Sequence, residues 1–406
     1  MNILFISDVY FPRINGVSTS IKTFRDRFIQ AGHRVVLIAP DYTYNGKDDA
    51  DIIRIPSRQI IFDKEDRLMR SSAIKKMVDQ LKDMNLDLIH IQTPFVAHYM
   101  GEYLSNKLGI PHIETYHTFF EEYFYNYIPL VPKKWLRNFA RKFTVRQCNN
   151  VDHIVVPSTA MAEVLCEYGV TTDATILPTG IEPRQFDSGN GPLFRAIHGI
   201  RHNRPVLTHI GRIAHEKNID FLIRMLTHVW QEIPEILLVI AGEGPAEKKL
   251  KRLAIKLGLK DNVLFVGYQD RSRELNDCYC CGDIFVFSSR TETQGLVLLE
   301  SMALGIPVVS TAVMGTRDIL EAGLGSLIAD EDERKFARKV TRLLTNDIMR
   351  DQLAREARQY AQQWSADNLA ARMLELYRLL CRRHESAPDK QTFQTTQLKA
   401  ENQDQY

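Results

Sequence analysis

Short apolar runs alternate with helical patterns along most of this 406-residue chain, and this alternation constrains the fold more than any other feature. In the first half, strands are predicted at Ile3–Ile6, Val35–Ala39, Leu88–Ile91, His112–Glu114 and Ile154–Pro157. Stretches with helical periodicity lie between or beside them, at Val17–Ala31, Ser72–Met84, Ala97–Leu108, Lys133–Cys148 and Ala160–Tyr168. Apolar strands that alternate with helices are typical of a parallel sheet covered on both faces.

The alternation pauses at the Pro- and Gly-bearing segment from Pro178 to Pro192 and then resumes. A second set of strands is predicted at Val206–Ile210, Ile236–Ala241, Val263–Val266, Ile284–Phe287 and Val308–Ser310. We therefore expect an α/β protein with two Rossmann-like domains, residues 1–185 and 195–363, whose parallel sheets face a central cleft. A last helix over 366–383 is expected to pack back on the first domain, and the polar tail 384–406 is expected to be disordered.

Composition excludes several classes of protein. The net charge is only +2, so nothing in the global balance predicts a nucleic-acid partner. The six cysteines show no paired CxxC spacing and no nearby histidine pattern, so neither a zinc site nor a disulfide framework is expected. Cys278, Cys280 and Cys281 are interpreted as small core residues. Met1–Ser7 reads as a first strand and not as a signal peptide, and no run approaches the ~20 apolar residues of a membrane span.

The segment from Ser288 to Gly305 holds the strongest functional signal. A buried-looking strand, Asp283–Phe287, leads into a polar loop, and Gly295 then opens an apolar helix. Two carboxylates, Glu292 and Glu300, lie on either side of this junction. A helix N-terminus offers unpaired N–H groups that suit a phosphate, and a carboxylate one turn further in can accept from a pair of sugar hydroxyls. The combination predicts a sugar-nucleotide site.

A second motif follows the strand Val206–Ile210, where Gly211-Arg212 precedes Lys217. Two cations five residues apart can grip one anion, with Arg as a planar fork and Lys as a point charge. The alternative is an exposed turn with solvated cations. A near match to GxGxxG at Gly242-Glu-Gly244-Pro-Ala-Glu247 has Glu at its third position, so we interpret it as a tight turn and not as a dinucleotide site.

These motifs together resemble the signature of the family-4 retaining glycosyltransferases, which have the GT-B fold. The resemblance rests on Gly211-Arg212 with Lys217 and on the segment from Glu292 to Glu300, and it covers roughly residues 1–383. It extends to Ser7-Asp8-Val-Tyr-Phe-Pro12, Asn15-Gly16, Tyr116-His117-Thr118 and Pro178-Thr-Gly180-Ile. The string Thr291-Glu-Thr-Gln-Gly295 is similar to members that glycosylate diacylglycerol or phosphatidylinositol.

The resemblance implies a donor site for an NDP-sugar, UDP- or GDP-linked, in the second domain. Arg212 and Lys217 would neutralise the diphosphate, His117 and Glu292 would contact the donor sugar, and these four form the expected catalytic set. Glu300 would hold the ribose hydroxyls. The other donor-binding residues implied are Gly16, Gly267, Tyr268, Gly295, Leu296, Val297 and Leu298. No Asp-x-Asp cluster stands out, so no obligatory metal or other cofactor is expected.

Four residues are expected on the acceptor side: Asp8, Asn15, Tyr116 and His117. His117 follows the strand His112–Glu114, so we expect it to point into the cleft, although a lone histidine can also be a core residue. Asp8 follows the first strand, where a carboxylate could orient an acceptor hydroxyl or cap the following turn. Both interpretations of Asp8 remain open.

The segment Lys133–Arg146 has six cations and no acid, with Trp135, Phe139 and Phe143 at helical spacing. Either this aromatic stripe packs on the sheet, the interpretation we favour, or it rests on anionic lipid headgroups. The preceding aromatic loop, 118–132, would suit the entrance of a hydrophobic acceptor.

We therefore expect a retaining transferase that moves glucose, mannose or galactose to a membrane lipid such as diacylglycerol. It would work in the cytoplasm, peripherally on the inner face of the cell membrane. The alternatives are a soluble or cell-surface polysaccharide acceptor, a sugar-nucleotide epimerase with the same fold, or a non-catalytic sensor.

Overall fold

The first domain is built around a parallel sheet. The computed structural model describes residues 1–42, 48–59, 67–117, 133–270 and 273–386. The first group of strands is β1 (Asn2–Ile6), β2 (Arg34–Pro40), β3 (Ile52–Ile55), β4 (Ser57–Gln59), β5 (Arg67–Met69), β6 (Leu88–Ile91), β7 (His112–Thr115), β8 (His153–Val156) and β9 (Ala174–Ile176). The helices between them are α1 (Gly16–Gln30), α2 (Ser71–Lys75), α3 (Val78–Lys82), α4 (Val96–Leu108), α5 (Lys133–Cys148) and α6 (Thr159–Tyr168).

The second domain repeats this arrangement. A short 3₁₀ helix (Pro183–Phe186) and α7 (Gly191–Ile197) connect the two domains, and a second 3₁₀ turn lies at His215–Lys217. The strands are β10 (Val206–Ile210), β11 (Leu237–Ala241), β12 (Val263–Gly267), β13 (Ile284–Phe287), β14 (Val308–Ser310) and β15 (Ser326–Ile328). The helices are α8 (Ile219–Glu232), α9 (Glu247–Lys256), α10 (Glu274–Cys280), α11 (Leu296–Ala303), α12 (Thr316–Leu320), α13 (Glu333–Leu344), α14 (Asp347–Gln363) and α15 (Ala366–Ser386).

Among the described residues, the first sheet has the strand order β3-β2-β1-β6-β7-β8-β9 and the second β12-β11-β10-β13-β14-β15. All pairs in both sheets are parallel, and β4 pairs with β5 as a separate antiparallel ribbon. The central strands are buried on both faces because helices cover each side. Val206–Ile210, for example, is buried at every residue. In both sheets, strands are added on one side of the first strand and then on its other side, so the strand order reverses at β1 and at β10. Open parallel sheets bind ligands at the carboxyl ends of the strands at such a reversal.

The carboxyl edges of the two sheets face each other. The segments that follow β14 and β8 are in contact, since Asp318 of α12 accepts a hydrogen bond from the Thr159 backbone of α6 at 2.6 Å. Arg317 and Glu163 of the same two helices form an ion pair at 2.9 Å. Met314, from the loop after β14, packs against the hydrophobic core of the first domain. Loops at the strand ends of both domains therefore line the space between them.

The chain crosses between the domains twice, and the two crossings are in contact. The backbone N–H of Ile181 donates to Trp364, and that of Ala366 donates back to Ile181. Gly180 lies so close that a Cβ there would stand 2.5 Å from the Cα of Ala366. After this crossing, α15 packs on the first domain, where Leu369, Met373 and Tyr377 share one core with β1 and α1.

The strands predicted in both halves are confirmed to within a few residues, but five strands were missed. These are β3, β4, β5, β9 and β15, which have three or four residues each and are partly exposed. Edge strands lack the continuous apolar run that identifies a buried strand. The prediction of core cysteines is confirmed for Cys278 and Cys281, which are fully buried, whereas Cys280 is half-buried.

The favoured interpretation of the aromatic stripe on α5 is wrong for two of its three residues. Trp135 is 75% exposed and Phe139 58% exposed, while only Phe143 packs partly against the core. Core packing therefore does not account for Trp135 and Phe139. The predicted aromatic entrance loop 118–132 lies outside the described residues, as does the predicted tail beyond Ser386.

Candidate active site

Asp8 lies just beyond β1 and caps a helix from another part of the chain. One carboxylate oxygen accepts from the backbone N–H of Ala97, at the start of α4, and from the Thr93 hydroxyl, at 3.0 and 2.9 Å. Burial raises the pKa of Asp8 to about 7, although these hydrogen bonds oppose the rise. The other oxygen, Oδ1, is buried and has no hydrogen-bond partner among the described residues. Asp8 is thus a helix cap, although not of the turn that follows it, with one oxygen left over.

His117 lies two residues beyond the carboxyl end of β7, at the edge that faces the second domain. Its Nε2 is 3.0 Å from Oε1 of Gln92, which directly follows the neighbouring strand β6. Burial lowers the pKa of His117 to about 4, so its imidazole is neutral near pH 7. A second buried histidine, His90, lies between Tyr377 of α15 and Thr115 of β7, at 2.5 and 2.6 Å.

Asn15 and Gly16 form the N-terminus of α1. The Asn15 side chain accepts from the Ser18 backbone at 2.9 Å, and the Ser18 hydroxyl accepts from the Asn15 backbone at 2.9 Å, which completes a capping box. Among the residues that the structure describes, a Cβ built on Gly16 would meet no heavy atom within 4 Å. This part of the chain therefore leaves open space in front of Gly16, while the Asn15 side chain is engaged in its own helix.

Tyr116 does not point at the cleft with its hydroxyl. The residue is only 4% exposed, and its hydroxyl lies 3.2 Å from Thr144 of α5. The sequence placed it beside His117 on the acceptor side, but alternate residues after a strand point to opposite sides. Its observed contacts are those of a packing residue beneath the site.

Lys217 and Glu292 meet across the loops that follow β10 and β13. The Lys217 ammonium is 2.5 Å from a Glu292 carboxylate oxygen, and both side chains are about one fifth exposed, at 20% and 19%. Arg212 lies on the same loop as Lys217 and is exposed. Since the loops after adjacent strands come together at one sheet edge, the two predicted motifs form one polar cluster.

The helix α11 begins at this cluster. Gly295 precedes it with φ of 95°, a left-handed conformation that favours glycine, and no side chain caps the helix. Leu296 and Val297 are half-buried, while Leu298 is fully buried. Glu300, one turn in, is buried and accepts from the Tyr279 hydroxyl at 2.8 Å. The predicted helix N-terminus is therefore present, with Glu300 held from behind by Tyr279.

The glycines near β10 and β11 pack against one another. A Cβ on Gly242 would lie 2.0 Å from the Gly211 carbonyl oxygen, and one on Gly244 would lie 2.3 Å from that of Ile213. The glycines of the GxGxxG-like segment therefore allow its backbone to pack closely against the Gly211–Ile213 turn. On the adjacent strand end, Gly267 has φ of 73° and accepts from the Gly242 N–H, and Tyr268 beyond it is 52% exposed.

Sequence reasoning missed a hydrogen-bonded connection between the domains. The Gln294 side-chain amide accepts from the backbone N–H of Thr179 and donates to its carbonyl, at 2.8 and 2.7 Å. The Thr179 hydroxyl in turn donates to Ser20 of α1 at 2.7 Å. Gln294 lies between Glu292 and Gly295, so its place in the motif was the only available signal. Gln92 was missed as well, although it too directly follows a strand.

Within the described residues, no group of three or more His, Cys, Asp or Glu side chains is arranged to hold a metal ion. In the same part of the chain, no helix combines the length and hydropathy that crossing a bilayer requires.

Comparisons with known proteins agree with this architecture. Residues 14–185 match the profile of Glycosyltransferase Family 4, and residues 192–360 match that of Glycosyl transferases group 1. An alpha-monoglucosyldiacylglycerol synthase from Streptococcus pneumoniae is 32% identical over 387 residues, which cover 93% of this chain and 85% of that protein. A GDP-mannose-dependent alpha-mannosyltransferase from Mycobacterium tuberculosis is 26% identical, over 79% of this chain and 81% of its own.

A solved structure extends the comparison. HepE of Anabaena, in complex with UDP-glucose, superposes with a TM-score of 0.73 at 17% identity, covering 94% of this chain and all of that one. Two Rossmann-like domains with parallel sheets whose carboxyl edges face each other define the GT-B class, as the sequence predicted. With the two profile matches and the relative at 32% identity, the chain belongs to glycosyltransferase family 4.

Proposed function

We propose that this enzyme is a retaining hexosyltransferase that moves a hexose from a UDP- or GDP-sugar to a membrane lipid such as diacylglycerol. The relatives support both halves of this proposal. One is named as a glucosyldiacylglycerol synthase, another as dependent on GDP-mannose, and HepE is complexed with UDP-glucose. The sugar and the nucleobase are to be decided by experiment among these donors.

The polar cluster at the start of α11 suits a sugar diphosphate. The backbone N–H groups of Leu296 to Leu298 and the positive end of the helix would receive phosphate oxygens. Lys217 lies within reach of the same region because its partner Glu292 is three residues before Gly295. Arg212 would add a second cation, Glu300 would hold the ribose hydroxyls, and Gly267 and Tyr268 would border the nucleobase.

The acceptor would be activated by the leaving group and not by a strong base. Because its pKa is lowered to about 4, His117 is neutral at physiological pH and holds no imidazolium proton that it could donate as a general acid. The acceptor hydroxyl would bond to the anomeric carbon as the bond from that carbon to the diphosphate breaks, on the same face. The hydroxyl proton would pass to the departing diphosphate oxygen, whose charge Arg212 and Lys217 stabilise. His117 and Glu292 would hold the sugar in place.

The observation that carries the lipid acceptor is the exposed face of α5. Trp135 and Phe139 project from it, and Arg141, Lys142 and Arg146 are exposed on the same helix. Exposed aromatics beside cations suit the interface of an anionic membrane, where the rings enter the headgroup region and the cations meet lipid phosphates. We accordingly place the enzyme peripherally on the inner face of the cell membrane.

Two experiments test this function. A panel of UDP-, GDP- and ADP-hexoses is assayed with vesicles that contain diacylglycerol, and formation of a glycolipid with retained anomeric configuration is expected with one of the first two. Transfer only to a soluble glycan, or epimerisation of the sugar nucleotide, would contradict the proposal. Vesicle flotation then compares the double variant Trp135→Ala, Phe139→Ala with Trp230→Ala, an exposed tryptophan of α8 in the other domain.

The α5 variant should lose binding to anionic vesicles, whereas Trp230→Ala should float like the wild-type enzyme. The wild-type binding should also weaken with salt, because cations contribute to it. Equal flotation of the α5 variant and the control would remove α5 from the membrane contact.

A further inference from the structure

Gln92 and His117 are joined at the ends of two neighbouring strands. β6 and β7 pair in parallel, with Ile91 opposite Glu114, so residues just beyond them lie side by side. The backbone N–H of Gln92 donates to the carbonyl of Ile6 at 2.9 Å, and its side chain is 97% buried, with 3% exposed. The backbone that carries this amide is therefore fixed by the sheet, and burial encloses the side chain that faces His117.

A second layer of contacts fixes the strands beneath this pair. His90 of β6 bonds through one ring nitrogen to Thr115 of β7 and through the other to Tyr377 of α15. Burial holds the pKa of His90 well below its usual value, so this ring is neutral as well. Both of its nitrogens are engaged, and the three elements that position Gln92 and His117 are tied together at one point.

The contact between Gln92 and His117 determines where the imidazole proton sits. A neutral imidazole has one N–H and one bare nitrogen, and the partner of one nitrogen decides which is which. The atom that faces Nε2 is the amide oxygen of Gln92, which can only accept. Nε2 therefore carries the proton, and Nδ1 is left with a lone pair.

We propose that Gln92 is a positioning residue that locks His117 in the Nε2–H tautomer, so that Nδ1 accepts a hydrogen bond from a hydroxyl of the donor sugar. The identity of the sugar as the partner rests on the proposed function, whereas the tautomer does not. Without the contact to Gln92, Nδ1 would carry the proton in part of the molecules. In those molecules the N–H of Nδ1 would face the O–H of the sugar, and Nδ1 could not accept its hydrogen bond. For histidines that bind a metal ion, losing the outer partner costs roughly 10- to 100-fold in activity, and we expect a loss of the same scale here.

The tautomer can be measured directly by two-bond ¹H–¹⁵N correlation spectra of the full chain labelled with ¹⁵N-histidine. Signals of His117 are identified by their absence from His117→Phe. We expect a protonated Nε2 and a bare Nδ1 in the wild-type protein. His209 serves as the internal reference, because its Nδ1 donates to the carbonyl of Val286 at 3.1 Å and it must have the opposite tautomer.

Three variants complete the test. Gln92→Met keeps the length of the side chain but cannot accept, so the His117 signals should become those of mixed tautomers and kcat should fall roughly 10- to 100-fold. Gln92→Glu keeps an acceptor oxygen and should retain the Nε2–H tautomer. Gln147→Met, a buried glutamine that donates to the Pro94 carbonyl, should leave the His117 signals unchanged.

A proton on Nδ1 of His117 in the wild-type protein would overturn the inference, and this measurement needs no variant. Unchanged His117 signals and unchanged kcat in Gln92→Met would overturn it as well. If the tautomer and its dependence on Gln92 are as expected but no sugar nucleotide is turned over, the proposed function fails while the assignment of the proton stands.

Discussion

Gly16 and Gly191 allow the proposed ligand site to be probed with two matched substitutions. Each is the first residue of a helix and follows an asparagine N-cap, Asn15 in one case and Asn190 in the other. Neither has a positive φ. They differ in surroundings: a Cβ on Gly16 meets nothing within 4 Å, whereas one on Gly191 lies 2.0 Å from the carbonyl oxygen of Cys280.

The expected effects follow from this difference. Alanine at position 16 causes no clash and favours the helix, so Gly16→Ala should raise stability by up to about 1 kcal/mol, or a Tm rise of up to roughly 4 °C. If the proposed site is right, the new methyl group takes up space that the ligand needs, and a displacement of ~1 Å at a reacting centre costs on the order of 10²-fold in rate. Gly191→Ala overpacks the contact between α7 and α10, which should cost about 1–3 kcal/mol. Its kcat/KM at low temperature should remain that of the wild type.

The assay combines thermal denaturation with kcat/KM for the donor, measured well below Tm. The expected pattern is opposite for the two variants: one is stable and nearly inactive, the other unstable and active. Wild-type kcat/KM in Gly16→Ala would refute the reasoning, since the open space in front of Gly16 would then not be used by a substrate. A parallel loss of stability and activity in Gly16→Ala would refute it too.

Further predictions concern the polar cluster, the connection between domains, and pH. Lys217→Met should lower kcat/KM by about 10²–10³-fold, which is the scale of one lost contact to a developing anion. Adding Glu292→Gln to this variant should not restore the rate. A wild-type rate in Lys217→Met would show that Lys217 does not stabilise the leaving group. Gln294→Leu leaves the buried N–H and C=O of Thr179 unpaired, so the free energy of unfolding should fall by about 1–3 kcal/mol. This loss is measured as a lower midpoint of urea denaturation, and an unshifted midpoint would contradict the prediction. Burial raises the pKa of Asp8 from 3.8 to about 7, so the stability due to its bound proton is fully present below pH 4 and is lost as pH rises through 7. Between pH 4 and pH 7, the Tm of the wild type should therefore fall relative to the Tm of Asp8→Asn. A difference in Tm that stays constant with pH would contradict the raised pKa of Asp8.

The buried strands were predictable because helices cover both their faces, so each strand is apolar without interruption. Val206–Ile210 has the same bounds in sequence and structure. β9 and β15 were not predictable, because an edge strand with one solvent-facing side has only two or three apolar residues. The sequence predicted that the aromatic residues of α5 share one face of the helix, but the favoured direction of this face, toward the sheet, was wrong for Trp135 and Phe139. Helical spacing does not show whether a face meets the sheet or the solvent.

The position of the site was predictable, and the partners of its residues were not. Polar residues that follow a parallel strand within a few residues lie near its carboxyl edge, and Asp8, His117 and Glu292 are found two to five residues beyond the ends of their strands. Asp8, however, caps α4, which begins 88 residues later at Val96. The sequence could not show this cap because the fold brings α4 to Asp8 from a distant part of the chain, and the acceptor role of Asp8 stays a prediction. Tyr116 shows the converse, because it follows β7 directly and yet its hydroxyl packs on Thr144 of α5.

The connection from Gln294 to Ser20 has a consequence for how the two domains move. Gln294 is bonded to the linker at Thr179, and Thr179 is bonded to Ser20, one turn along α1 from Gly16. The proposed diphosphate site at Gly295 and the open space at Gly16 are therefore both linked to the segment that connects the two domains. A rotation that opens the cleft has to strain or break these buried hydrogen bonds, and such buried bonds are costly to leave unmade. Donor binding and domain closure are consequently expected to be coupled through Thr179, so the loss in Gln294→Leu should affect both the stability of the fold and the apparent affinity for the donor.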